Sequence, residues 1–141
     1  MLEIGAFPFL IKKEALQVMI ITNTSGKSWI LPKGHPEEDL NKPQVAKLET
    51  YEEAGIKGVI FDKKLRKEFK REEGGTLVIY PLIIKDILDN WPEESKRQRR
   101  LLPIKEAQAL VTKKEHSHAL AYFSSDELLK KLSEAYLSIG N

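Results

Sequence analysis

Three glutamates, Glu49, Glu52 and Glu53, stand at positions i, i+3 and i+4 of one segment. On a helix this spacing brings their carboxylates to a common face. Like charges at such positions repel each other by roughly a few tenths of a kcal/mol per pair. A hard cation would turn this repulsion into coordination, because Mg²⁺ prefers carboxylate oxygens, water and substrate phosphate. The spacing equally allows a solvated acidic face that tolerates the repulsion.

The element that must carry these carboxylates is a short helix with clear ends. Asn41-Lys42-Pro43 predicts its start, since a polar residue can cap the first turn and proline there loses no needed N–H. Gly55 predicts its end. We expect an apolar stripe that includes Val45, Leu48 and Ala54 to face the core.

The same segment resembles a known motif. Leu31-Pro32-Lys33-Gly34-His35-Pro36 and the stretch from Leu48 to Ile56 resemble the Nudix box, G-x(5)-E-x(7)-R-E-U-x-E-E-x-G-U, in which U is a bulky aliphatic residue. The first glycine falls on Gly34, and the later glutamates and the Gly-aliphatic pair fall at matching distances. The resemblance implies a Nudix hydrolase in which this box forms a loop, a helix and a second loop.

The resemblance also implies roles for individual residues. The expected metal ligands are Glu49, Glu52, Glu53 and the carbonyl of Gly34. The expected catalytic residues are Glu52 and Glu53, one of which, or an acid outside the box, would take a proton from water. The implied cofactor is Mg²⁺, with Mn²⁺ as the alternative.

Two positions depart from the motif. Leu40 stands where the family has its first glutamate, and Leu48 stands where it has an arginine that orients a neighbouring glutamate. An acid of the loop at 37–39 could replace the glutamate, whereas nothing nearby obviously replaces the arginine, and a leucine there suggests a core position. The alternatives are therefore an active or slow enzyme and a catalytically weak or inactive module that binds nucleotides or regulates.

A second, looser resemblance follows the box. Trp91-Pro92-Glu93-Glu94, three arginines and Pro103-Ile104-Lys105-Glu106-Ala107 resemble the corresponding region of diphosphoinositol polyphosphate phosphohydrolases and dinucleoside polyphosphate hydrolases. This resemblance implies that basic residues there meet substrate phosphate. We expect Arg97 and Arg99 to share one face of a strand and Arg100 to lie on the other, or the reverse.

Other assignments of these basic residues stay open. The arginines could simply protect an edge strand. Lys33 and His35 are further candidates for phosphate contact, and a turn histidine is the alternative for His35.

The remaining pattern predicts an α+β protein with a Nudix fold, a mixed β-sheet sandwiched between α-helices. We expect strands near 3–11, 16–22, 28–31, 59–61, 65–70 and 76–84, with a hairpin turn at 72–75. Further helices are expected at 104–111 and after a capping-box pair formed by Ser124 and Glu127. His116 and His118 stand two residues apart, which could suit a metal on an extended strand, but no third ligand is in sight, so we favour surface or hydrogen-bonding histidines.

Composition excludes several classes of protein. The 141 residues predict a single domain over 1–141, and the absence of cysteine excludes disulfides and thiolate metal sites. The apolar runs are too short to cross a membrane as helices, and a net charge of +2 predicts no nucleic-acid partner. Composition therefore predicts a cytoplasmic protein. The resemblance to Nudix hydrolases implies an enzyme whose partner is a small phosphorylated molecule. The expected reaction is metal-dependent hydrolysis of a diphosphate linkage in a nucleoside-diphosphate-linked or polyphosphorylated compound.

Overall fold

The computed structural model describes residues 1–140, in which one mixed sheet lies between helices. The strands are β1 Leu2–Lys12, β2 Ala15–Thr22, β3 Trp29–Ile30, β4 Lys33–Gly34, β5 Ile56–Val59, β6 Lys67–Lys70, β7 Thr76–Ile87 and β8 Arg99–Pro103. The helices are α1 Lys42–Ala54, α2 Ile104–Leu110, α3 Lys114–Phe123 and α4 Asp126–Ala135, with a 3₁₀ turn at Lys63–Leu65 and a π turn at Tyr136–Gly140.

The sheet is built around β1 and β7, which pair in parallel from Leu2↔Thr76 to Phe9↔Ile83. The other pairings are antiparallel. β2 lies against β1, β3 and β8, β4 pairs with the start of β1, and both β5 and β6 pair with β7. This arrangement confirms the predicted α+β class and mixed sheet.

Both faces of the sheet are covered, which explains why its central strands are apolar almost throughout. Along β1, Phe7 and Phe9 point into a cluster beneath α2, α3 and α4, while Ile4 and Ala6 point into a second cluster beneath α1. The alternation follows the two-residue period of a strand. Phe7 stacks on Phe123 of α3 with ring centroids 5.2 Å apart, which ties the first cluster to the helices.

The ends of α1 confirm the sequence prediction. Asn41 accepts from the backbone N–H of Gln44, whose side chain accepts in return from the Asn41 N–H, so the two form a capping box. At the other end Gly55 has φ +66° and donates its N–H to the Tyr51 carbonyl. This left-handed conformation favours glycine.

Several local predictions are wrong. The segment containing His116 and His118 forms α3, a helix that the sequence pattern did not predict. Ser125, not Ser124, precedes α4, and it makes no side-chain capping bond. The strand expected at 59–61 lies earlier, at Ile56–Val59. Leu48 belongs to neither apolar cluster and is only half-buried, whereas Thr50 is fully buried and donates its hydroxyl to the Ala46 carbonyl.

No helix within residues 1–140 is long and apolar enough to span a bilayer.

Candidate functional site

A polar cleft of about 380 Å³ opens where α1, β4 and the start of β1 meet. It brings together most of the residues that the sequence singled out. The cleft also contains residues that the sequence analysis did not predict. Its lining comprises Glu3, Lys33, Gly34, His35, Pro36, Glu37, Glu49, Glu53 and Arg97. A larger cavity of about 630 Å³ lies beside the first half of α1, but its lining includes none of the predicted site residues. The smaller cleft is therefore the candidate site.

Glu49 lies directly against the β4 backbone at Gly34. A Cβ added at Gly34 would overlap the Glu49 carboxyl carbon, so only glycine allows this close approach. Burial raises the pKa of Glu49, and the negative charges of Glu52 and Glu37 raise it further. The glycine of the motif thus has a steric reason here that does not depend on the resemblance.

Glu53 is a buried acid of the cleft, with 5% of its surface exposed. Its Oε1 accepts from the Lys33 backbone N–H at 3.1 Å, and its Oε2 lies 3.2 Å from Nη2 of Arg97. Burial raises its pKa to about 8, against the opposing effects of Arg97 and the Lys33 N–H. The neighbouring Glu49 carboxylate raises the pKa of Glu53 further.

This donor set fits a hard divalent cation. A cation bound by Glu49 and Glu53 would neutralise both carboxylates. Within residues 1–140, no three His, Cys, Asp or Glu side chains are already gathered for a metal ion, so Glu52 does not complete a three-ligand group. A cation would therefore engage the Glu49–Glu53 pair first, and water and substrate oxygens would supply other ligands, as is usual for Mg²⁺.

Glu3 is a member of the site that the sequence analysis missed. It is 4% exposed, and its carboxylate accepts from Lys33 Nζ at 2.7 Å and from Arg71 Nε at 2.9 Å. These cations hold its pKa below the usual range despite its burial. The available signal was an acid inside an apolar strand, because such a residue requires a buried partner. Lys33 Nζ is therefore already paired within the protein.

Arg97 lies in the loop before β8 and Arg99 begins the strand, so the two do not share a strand face as predicted. Both contact the end of α1, whereas Arg100 is exposed. Arg99 donates from Nη1 to the Ala54 carbonyl at 2.9 Å and from Nη2 to the Leu88 carbonyl at 2.6 Å. Its guanidinium lies 3.8 Å from the Trp91 ring centroid. These contacts favour a structural role for Arg99, while phosphate contact by it stays a prediction.

The two positions that depart from the motif lie outside the cleft. Leu40 packs against the apolar cluster beneath α1. Leu48 lines a separate pocket with Tyr51 and Ile56. Of the acids that could replace the missing glutamate, Glu37 alone lines the cleft.

His116 supports the loop that leads into the cleft. It is fully buried, and its Nδ1 accepts from the Leu31 backbone N–H at 3.0 Å, so the imidazole proton resides on Nε2. Among residues 1–140, Nε2 has no hydrogen-bond partner. Burial, together with the nearby charge of Lys33, lowers the pKa of His116 to about 3. The residue is a neutral buried acceptor rather than half of a metal-binding pair.

Several known proteins are similar to this chain in sequence. No family model matches the chain. Nudix hydrolase 16, mitochondrial, from Arabidopsis thaliana is 34% identical over 103 residues, which cover 67% of this chain and 57% of that protein. Nudix hydrolase 13, mitochondrial, from the same plant is 30% identical over 142 residues, covering 89% and 70%. The chain spans little more than half the length of several of these relatives. Because several are named as mitochondrial, the cytoplasmic location stays a prediction.

Solved structures agree with the fold. The Ap4A hydrolase of C. elegans superimposes with a TM-score of 0.65 at 18% identity, covering 88% of this chain and 96% of that one. The NUDIX domain of Shewanella oneidensis NrtR, solved with ADP ribose, has a TM-score of 0.65 at 13% identity, covering 86% and 84%. At these identities the likeness concerns the fold.

Proposed function

Because this chain belongs to the Nudix hydrolase family, we propose that its acidic cleft hydrolyses a diphosphate linkage with the help of Mg²⁺, which Mn²⁺ could replace. The substrate would be a nucleoside-diphosphate-linked or polyphosphorylated small molecule. The observation that carries the proposal is the neighbouring carboxyl groups of Glu49, which lies against Gly34, and buried Glu53 in an open cleft. Two neighbouring carboxylates, one of them buried, are an unfavourable arrangement unless a cation neutralises them or a reaction uses them.

The proposed ligands are Glu49, Glu53 and the Gly34 carbonyl, with Glu52 joining through a change of rotamer. When bound, Mg²⁺ would neutralise the phosphate oxygens and lower the pKa of water. Phosphoryl transfer asks the protein mainly for positioning and charge. These residues are therefore of the types that such a reaction requires.

The chain's own residues would act on water and phosphate. Water attacks phosphorus, the bond from that phosphorus to the bridging oxygen breaks, and a carboxylate of Glu52 or Glu53 accepts the water proton. His35 is exposed at the rim of the cleft and can meet a phosphate oxygen. Lys33 contributes its charge from below, where it stays paired with Glu3.

The test is hydrolysis of four named classes of compound with and without Mg²⁺: nucleotide sugars, dinucleoside polyphosphates, nucleoside triphosphates and inositol pyrophosphates. Glu53→Gln should abolish turnover and weaken Mn²⁺ binding, measured by the loss of the free Mn²⁺ electron-spin-resonance signal. Glutamine keeps the shape of the protonated carboxyl group, so circular dichroism should show an intact fold. Glu106→Gln, an exposed change of the same kind on α2, is the matched control.

The outcomes separate the alternatives. Wild-type turnover in Glu53→Gln would show that this carboxyl group has no role in hydrolysis. Saturable binding of a nucleotide without turnover in the wild type would instead support the alternative of a nucleotide-binding or regulatory module. Leu40 and Leu48 are the features that favour this alternative.

A further inference from the structure

Arg97 occupies an unusual position for a residue expected to bind a ligand. Each of its three guanidinium nitrogens faces a protein oxygen, and the side chain is 9% exposed. Nε donates to Glu93 Oε1 at 2.8 Å, and Nη1 donates to the Thr22 carbonyl at 3.0 Å. Nη2 lies 3.2 Å from Glu53 Oε2. A phosphate group would have to compete with these acceptors.

The residues that contact Arg97 are themselves held by backbone hydrogen bonds at two places. Thr22 donates its backbone N–H to the Gln98 carbonyl at 3.0 Å and accepts from the Gln98 N–H through its hydroxyl at 2.9 Å. Glu93 donates its N–H to the Glu52 carbonyl at 3.0 Å. The end of β2 and the end of α1 therefore fix the guanidinium from both sides, and its planar fork leaves little freedom.

The helix that carries Glu53, α1, has no positively charged residue of its own that orients this carboxylate. α1 contains no arginine, and its lysines make no ion pair among the described residues. Glu53 is thus held by two donors from other elements, the Lys33 N–H on Oε1 and Arg97 on Oε2. The two donors together define the plane of the carboxyl group in the cleft.

We infer that Arg97 is a positioning residue: from the loop before β8 it fixes the orientation of Glu53 for metal binding and proton transfer. This inference rests on the proposed function. The arginine that the box lacks at Leu48 is then replaced in its task by one that lies 49 positions later in the chain (97 minus 48). A sequence motif cannot reveal such a replacement, because it depends on the pairing of β2 with β8 in the folded protein.

The test is a double-mutant cycle between Arg97 and Glu53, which reports whether one residue acts through the other. Arg97→Gln should weaken Mn²⁺ binding in the wild-type background and change it less than about twofold in the Glu53→Gln background. With ADP-ribose and diadenosine tetraphosphate as probes, Arg97→Gln should lower kcat by about ten- to a hundredfold and leave KM within about twofold. Arg100→Gln, an exposed change on β8, should alter neither quantity.

Arg97→Lys covers the case in which the glutamine variant fails to fold. Lysine keeps the charge but cannot satisfy three acceptors at once, so kcat should again fall more than KM rises. A merely structural role would weaken Mn²⁺ binding equally in both Glu53 backgrounds, and that result would overturn the inference alone. A higher KM at unchanged kcat would make Arg97 a phosphate ligand instead. If Glu53→Gln itself left Mn²⁺ binding unchanged, the proposed function would fail first and this inference with it.

Discussion

Replacement of Arg99 by alanine should destabilise the protein through the end of α1. Its guanidinium donates to the Ala54 and Leu88 carbonyls and stacks on Trp91, whose Nε1 donates to the Glu53 carbonyl at 3.1 Å. A Cβ at Gly55 would lie 2.6 Å from Arg99 Nη1, so the group is closely packed. The Arg99 guanidinium lies at the C-terminal end of α1, where the helix dipole favours a positive charge.

The magnitude follows from these contacts. A hydrogen bond to a charged group contributes roughly 1.5–3 kcal/mol, and a cation–π contact contributes roughly 0.5–1 kcal/mol at an exposed site. The side chain is only partly buried, so water would satisfy some of the released carbonyls and the lower ends of the ranges apply. We therefore expect Arg99→Ala to lower the free energy of unfolding by about 3.5 kcal/mol.

Equilibrium unfolding in urea measures this quantity. Arg100→Ala is the matched control, because the neighbouring residue on β8 is exposed, and its effect should stay within about 0.5 kcal/mol. Arg99→Lys should lie between the two, since it keeps the charge but not the fork. If Arg99→Ala were as stable as the control and raised KM for the hydrolysed substrate, Arg99 would be a phosphate ligand and its structural assignment would be wrong.

Two further predictions concern the support of the cleft. Because burial lowers the pKa of His116 from 6.5 to about 3, the unfolded protein binds a proton at this residue that the folded protein does not. The free energy of unfolding is therefore at its full value above pH 6.5 and should fall by about 2 kcal/mol by pH 5. Urea titrations of His116→Gln should lack this pH dependence, and its persistence in the variant would assign it to other groups. Gly34→Ala should push Glu49 out of place and weaken Mn²⁺ binding, and unchanged affinity would show that Glu49 is not a ligand.

Local signals explain how much of this molecule could be predicted from its sequence. The capping pair of Asn41 and Gln44 and the left-handed Gly55 set the ends of α1 through contacts a few residues apart. The hairpin between β6 and β7 follows from Gly74 and Gly75, both at positive φ. These features needed no knowledge of the tertiary structure.

The errors occur where long-range packing decides. α3 carries His116 and Glu115 on its buried side, and these polar residues obscure the helical period of its apolar ones. Leu48 was expected in the core because leucine usually is, yet the buried face of α1 includes Thr50, whose hydroxyl is satisfied by the helix backbone. The contact between Arg97 and Thr22 joins residues 75 positions apart, so only the strand pairing brings them together.

The position of β8 in the sheet has a consequence for how the cleft opens. Among residues 1–140, β8 is paired on one side only, with β2, and it is five residues long. An edge strand of this kind detaches at lower cost than a central one, so regions that rely on it exchange amide hydrogens through local opening. Detachment of β8 would withdraw Arg99 and Arg97 from the end of α1 together. The last turn of α1, the Trp91 loop and the carboxyl pair of the cleft should therefore open and close as one cooperative unit.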